Sequence, residues 1–241
     1  SDLEKTKITK LNFLLAEYYN YILVHGEKKF YSIGDKLNLD KPIINKIFYT
    51  GYVCEKRSKS KLTSYNKKEI IVSAGGGAVG KKIIINAIKT SSLFSEREYF
   101  WRIIIGINEN AQNKKEYIKL IKDLGKNIIL ENFTGNFNNL LQNCLISISQ
   151  GGYNTFIETI SSRVKSIIIP YSGDIKSDQV IRANSFKSLG FIKYIDENDL
   201  NPSKLKDNII QLINEDYRKS KLPDLNGSEN TYKFITGLKN E

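Results

Sequence analysis

The sequence has no methionine, not even at position 1, so the chain is expected to begin downstream of the start of translation, as a fragment of a longer protein. Its two cysteines, Cys54 and Cys144, stand far apart with neither metal-ligand nor redox spacing, which points to a reducing cytoplasm. No apolar run approaches the roughly 18 residues of a membrane-spanning helix, and no signal sequence opens the chain. Membrane contact, if made, is peripheral, on the inner face. Acidic residues are scarce: 26 against 37 basic ones, a net charge of +11 that favours nucleotide phosphates, an anionic membrane surface or nucleic acid. A Lys-, Asn- and Ile-rich genome would give the same excess. Nucleic acid is disfavoured because no stacked aromatic platform or recognition-helix pattern accompanies the charge. No Asp-x-Asp pair that would hold a divalent metal occurs.

What remains is a globular chain of 241 residues, 40% hydrophobic, enough for one large α/β domain or one and a half. An amphipathic helix pattern covers Leu3 to Tyr19, and "YILVHG" (21–26) and "KIFYTGYV" (46–53) read as strands. The polar, basic, Ser-rich "CEKRSKSKLTSYNKK" then reads as a linker. After it come "EIIVSA", "WRIIIGI", "NIILEN", "LISISQ", "VKSIIIPY" and "FIKYID", each followed by a helix candidate. Nearly continuous apolar strands with helical crossovers imply a Rossmann-like, doubly wound parallel sheet covered on both faces. Asn201 and Pro202 start a further helix, and 227–238 reads as a last one. The expected organisation is the end of a domain at 1–53, a linker at 54–67, a ligand-binding α/β domain at 68–222 and a terminal helix at 223–241.

In a doubly wound sheet, ligands bind where strand carboxyl ends meet helix amino ends. After the first of the six strands, "GGGAVG" fits three phosphate-binding templates. Gly75, Gly77 and Gly80 spell G-x-G-x-x-G, and Gly75 to Lys81 spell the front of a P-loop. Its next position should be a magnesium-holding hydroxyl but is Lys82, and neither "WRIIIGIN" nor "LISISQ" ends in the expected Asp. A dinucleotide fold wants an acid at the end of the second strand, which here runs Gly106-Ile107-Asn108. The third template, a glycine turn whose backbone amides cradle the diphosphate of a nucleotide sugar, requires neither.

A second turn, "SISQGGYNTFIETI", follows the fourth strand. Gly151 and Gly152 let a backbone amide approach a ligand, and Thr155 and Glu158 lie three apart on one helix face. A carboxylate there can accept from two vicinal hydroxyls. Taken alone, Glu158 reads first as a charge favouring the helix dipole. After the fifth strand, Asp178, Gln179 and Arg182 open another helix: Gln179 can read sugar hydroxyls, and Arg182 can pair with phosphate or a neighbouring carboxylate. His25, the sole histidine, ends a strand and is a weak candidate base beside a structural hydrogen-bonding role. Cys144 reads as core.

Together "GGGAVG", "GGYNTFIE" and "IPYSGDIKSDQVIRA", in this order and spacing, resemble the C-terminal, donor-binding domain of glycosyltransferase family 28, over roughly 68–215. The resemblance implies a GT-B fold and metal-independent transfer of a hexose or N-acetylhexosamine from a UDP-sugar, with no cofactor beyond that substrate. It implies that Gly75, Gly76, Gly77 and Gly80 give amides to the diphosphate, that Phe133 lies near the base, that Thr155 assists at the phosphates and Glu158 holds the ribose, and that Asp178 and Gln179 contact the sugar. A Ser common in the family's first turn is Gly77 here, and its Gln pair is Asp178-Gln179. The resemblance also makes residues 1–52 the tail of an N-terminal acceptor domain, completed by missing sequence or by a partner subunit.

Overall fold

A computed structural model describes residues 2–55, 68–75, 80–95, 98–124, 127–171, 178–216 and 221–238. It forms two compact units, residues 1–55 with 222–241 and residues 56–221. The expected linker falls almost wholly outside the described residues.

The first unit opens with α1 (Asp2–Tyr18), followed by β1 (Ile22–Val24), two single-turn helices α2 (Ile33–Lys36) and α3 (Lys41–Ile44), and β2 (Ile47–Tyr49). β1 and β2 pair in parallel, Ile22 opposite Ile47 and Val24 opposite Tyr49. The last carbonyls of a helix have no partner within it. Here Lys46 Nζ donates to Ala16 O (2.7 Å) and Tyr19 O (2.8 Å), placing a cation at the negative end of α1.

The second unit alternates β3 (Glu69–Ser73), α4 (Lys81–Ser91), β4 (Phe100–Ile104), α5 (Ala111–Leu124), β5 (Ile128–Glu131), α6 (Phe137–Asn143), β6 (Ile146–Ser149), α7 (Tyr153–Ser162), β7 (Lys165–Ile168), α8 (Asp178–Phe186), β8 (Ile192–Tyr194) and α9 (Pro202–Asn214). All six strands are parallel, in the order β5-β4-β3-β6-β7-β8. Because side chains alternate across a strand, each apolar run supplies both faces. Ile70 and Val72 join Ile103, Ile146, Ile148 and Ile167 beneath Ile83, Ile84 and Ala87 of α4, Tyr117 of α5, and Leu205, Ile209 and Leu212 of α9. On the opposite face Ile71 and Ile104 meet Leu141 of α6, Cys144 and Val164. Arg102 ties β3 to β5 by donating to Glu69 Oε1 (2.7 Å) and to Glu131. The Asn201 side chain caps α9 as the sequence implies, accepting from Lys204 N at 2.9 Å.

The terminal helix α10 (Gly227–Leu238) belongs to the first unit. Tyr52 N donates to Asp224 O (2.7 Å), Gly227 N to Tyr52 O (3.0 Å) and Asn230 Nδ2 to Thr50 O (2.9 Å). Phe234 of α10 packs against Phe48 and Tyr21, with ring centroids 4.6 and 5.3 Å away.

Candidate functional site

The strand order creates the site. The chain winds outward from β3 through β4 to β5, then returns to the other side of β3 to lay down β6, so the direction of winding reverses between β3 and β6. At such a switch point the loops leaving the two neighbouring strands diverge and open a crevice at their carboxyl ends. The two glycine turns are the loops that leave β3 and β6.

Their glycines are required by close approach. At Gly80 a Cβ would lie 2.0 Å from Ala74 Cβ and 2.9 Å from Ala74 O, so the start of α4 sits directly against the residue that follows β3. At Gly151 φ is +83°, and a Cβ would meet Ile168 Cγ2 at 2.6 Å. Gly75 follows β3 with a Cβ position 3.3 Å from Gln150 Oε1, which places the two turns side by side. Gly76 and Gly77 lie outside the described residues. Gly152 is different: nothing lies within 4 Å of its Cβ position.

Gly80 and Gly152 are the N-caps of α4 and α7, and neither helix has a side-chain cap or an acid in its first turn. Each helix thus begins at a residue that has no side chain to cap its first N–H groups, and the positive ends of both dipoles face the carboxyl edge of the sheet. Lys81, at the start of α4, is committed to Glu116 of α5 at 2.6 Å. Thr155 and Glu158 are half-buried on the first turns of α7.

Arg182 is held against the second turn. Its guanidinium lies 5.3 Å from the ring centroid of Tyr153 and 5.9 Å from that of Phe156, and NH1 donates to Gly151 O at 3.4 Å. It joins the start of α8 to the start of α7. Gln179 Oε1 accepts from Tyr171 N at 3.1 Å, drawing together the two ends of the segment between β7 and α8. Asp178 is the first residue of α8; nothing is described of its side chain. Phe133, in the loop after β5, is 66% exposed on the same edge of the sheet. His25, at the end of β1 in the first unit, is exposed, and its Nδ1 lies 2.9 Å from Thr50 Oγ1.

Sequence reasoning overlooked two further residues at this edge. Gln150 is buried between β6 and the second turn, its amide oxygen against Gly75; the residue joining strand to Gly-Gly in "SISQGG" was the available signal. Glu109, in the loop after β4, is buried and accepts from Asn113 Nδ2 (2.7 Å), Tyr117 OH (3.1 Å) and Asn110 N (3.2 Å), so it organises the start of α5. Burial first, then the Glu109 carboxylate, push the Tyr117 hydroxyl well above its ordinary range.

Among curated proteins, the chain is similar to the UDP-N-acetylglucosamine--N-acetylmuramyl-(pentapeptide) pyrophosphoryl-undecaprenol N-acetylglucosamine transferase of Prochlorococcus marinus subsp. pastoris (28% identity, 61% of this chain and 38% of the relative). The similarity to the transferase of the same name from Clostridium perfringens strain SM101 is 26%, over 66% of this chain and 43% of the relative. The chain thus spans about two fifths of these relatives' length. Among solved structures, Acinetobacter baumannii MurG superposes with a TM-score of 0.59 at 13% identity, over 87% of this chain and 72% of that one. The glycotransferase of kitacinnamycin does so with 0.61 at 16%, over 88% and 54%. These neighbours establish a GT-B type fold. The family match spans residues 71–234, from β3 through both glycine turns into α10, and the chain accordingly belongs to glycosyltransferase family 28, through its C-terminal domain.

Proposed function

We propose that the chain binds a UDP-sugar across the switch point between β3 and β6 and serves the transfer of a hexose or N-acetylhexosamine to a lipid-linked or cell-envelope acceptor without a divalent metal. The observation that carries this reading is the adjacency of two glycine turns, each opening a helix whose cap residue is itself a glycine without a side chain. As the anomeric bond breaks, charge develops on the leaving diphosphate, and fixed N–H groups aimed there stabilise it without reorganising. In this reading the turn from Gly75 to Gly80, Gly76 and Gly77 included, and the turn at Gly151 and Gly152 hold the diphosphate, with Thr155 beside it. Glu158 accepts from the ribose hydroxyls, Phe133 lies against the base, and Asp178 and Gln179 meet the sugar. Arg182 holds the second turn in place. The names of the curated relatives support a UDP-linked donor and a polyprenol-linked acceptor.

In-line displacement requires the acceptor and its base to approach from the side opposite the diphosphate. The chain spans about two fifths of its relatives, and the sheet of the first unit has two strands, which favours a second reading of the purified chain as a donor-binding module. An acceptor-binding half, in the same polypeptide or in a partner subunit, then supplies the base. Exposed Phe13, Tyr18, Tyr19 and Tyr232 in the first unit, with the net charge of +11, support peripheral contact with an anionic membrane surface at the cytoplasmic face.

UDP release from UDP-sugars, measured in chelator with a polyprenol diphosphate-linked acceptor and with or without an added acceptor-binding half, tests both readings. The expected result is donor binding by the chain alone and UDP release only with that half. Release without acceptor would make the protein a UDP-sugar hydrolase, and transfer by the chain alone would put His25 or Asp178 forward as the base.

A further inference from the structure

Several buried hydroxyls in this chain find a carbonyl. Thr90 Oγ1 donates to Asn86 O (2.7 Å), Ser91 Oγ to Ile88 O (2.7 Å) and Ser166 Oγ to Val164 O (2.8 Å). One interface breaks this pattern. Ser147 and Ser149 of β6 and Thr159 of α7 are each 0% exposed, yet their hydroxyl oxygens have no hydrogen-bond partner among the described residues. Ser162 Oγ at the end of α7 and Asn143 Oδ1 at the end of α6, buried atoms of half-buried residues, also lack a partner among the described residues. Thr159 does not even make the bond to the carbonyl four residues back that Thr90, Thr231 and Thr236 all make.

These atoms share a seam. Ser147 and Ser149 lie on one face of β6, opposite Ile146 and Ile148, which enter the other core. Thr159 and Ser162 are three apart on α7, on one helical face. β6 runs toward the carboxyl edge and α7 runs back from it, so the hydroxyls succeed one another from the second glycine turn down to the far side of the sheet. There Ser162 lines a cavity of about 300 Å³ with Gln142, Cys144, Arg163 and Lys165. Unpartnered hydroxyls buried in a core are costly, and ordered water is what ordinarily satisfies such groups where polar partners cluster; at the Ser162 end of the stripe the cavity supplies the room.

We propose that ordered water molecules occupy the seam between α6, α7 and β6, bonded to Ser147, Ser149 and Thr159 and continuous with the cavity beside Ser162. The helix that carries Thr155 and Glu158 then rests on the sheet through water along this stripe. Neither the proposal nor its test depends on which donor the chain binds.

A crystal structure resolving ordered solvent, with thermal unfolding of Ser147→Ala, Ser149→Ala, Thr159→Val and Thr159→Ser, tests this. The expected structure shows water within hydrogen-bond distance of the three hydroxyls. Each alanine variant and Thr159→Val should lower Tm by about 2–4 °C, since each strands a buried water, whereas Thr159→Ser keeps the hydroxyl and stays nearer the parent. A dry interface, or a Tm unchanged or raised in the alanine variants, would overturn the proposal, because removal of a truly unpaired hydroxyl relieves the chain of an uncompensated group.

Discussion

Substituting Gly152 separates the fold from the site. Gly152 caps α7 with φ −54° and ψ 150°, a conformation open to any residue, and nothing lies within 4 Å of the position an alanine Cβ would take. The stability cost of Gly152→Ala is the small difference between glycine and alanine at an N-cap, about 1 kcal/mol or less, or roughly 2–4 °C in Tm. Yet a methyl there stands beside the first N–H groups of α7, where the glycine leaves room for a ligand. If the diphosphate of a donor approaches them within hydrogen-bonding distance, UDP affinity should fall at least about tenfold, roughly 1.4 kcal/mol. Gly80→Ala is the contrasting case. Its Cβ would overlap Ala74 Cβ at 2.0 Å, so the turn itself must open, and stability should fall by about 1–3 kcal/mol along with binding. Calorimetric titration with UDP and thermal unfolding measure both quantities. A Gly152→Ala protein that binds UDP as tightly as the parent would refute the assignment of α7 to the diphosphate.

Glu158→Gln should weaken UDP binding by roughly 1.5–3 kcal/mol, the scale for a hydrogen bond to a charged group, with little further loss for 2′,3′-dideoxy-UDP; equal parent affinity for the two nucleotides would return Glu158 to a helix-start charge. Burial, then the Glu69 carboxylate, push the Cys144 thiol up to about 12, so at pH 8 a thiol reagent should titrate one cysteine, Cys54, in the native chain and both after denaturation. Asp224 is held below the usual carboxylate range, first by the Asn226 N–H. Its contribution to stability is therefore present above about pH 4 and lost as pH falls below that, and Asp224→Asn should reduce the difference in Tm between pH 6 and pH 3 relative to the parent.

The six-strand sheet was legible in the sequence because strands buried on both faces are written as unbroken apolar runs, such as Ile70 to Val72 and Ile167 to Ile169. Both glycine turns and the Asn201 cap were legible because each is a local requirement of backbone geometry. Strand order was not, since it follows from how the crossovers pack. The contact between Gly75 and Gln150, which joins the two turns, exists because β6 returns beside β3. Nor did any local signal assign α10 to the first unit: Asn230 reaches Thr50 across 180 residues of sequence. Arg182 illustrates a similar limit, because its place between aromatic rings and the Gly151 carbonyl depends on α7 and α8 starting at the same edge.

The central claim, that this chain holds a UDP-linked donor on backbone amides at the switch point, is tested most directly by calorimetric titration with UDP, ADP, NAD and ATP in the presence of chelator. Saturable binding of UDP, tighter than that of the other three and unchanged when magnesium replaces the chelator, is the predicted result; preference for ATP with magnesium would contradict it.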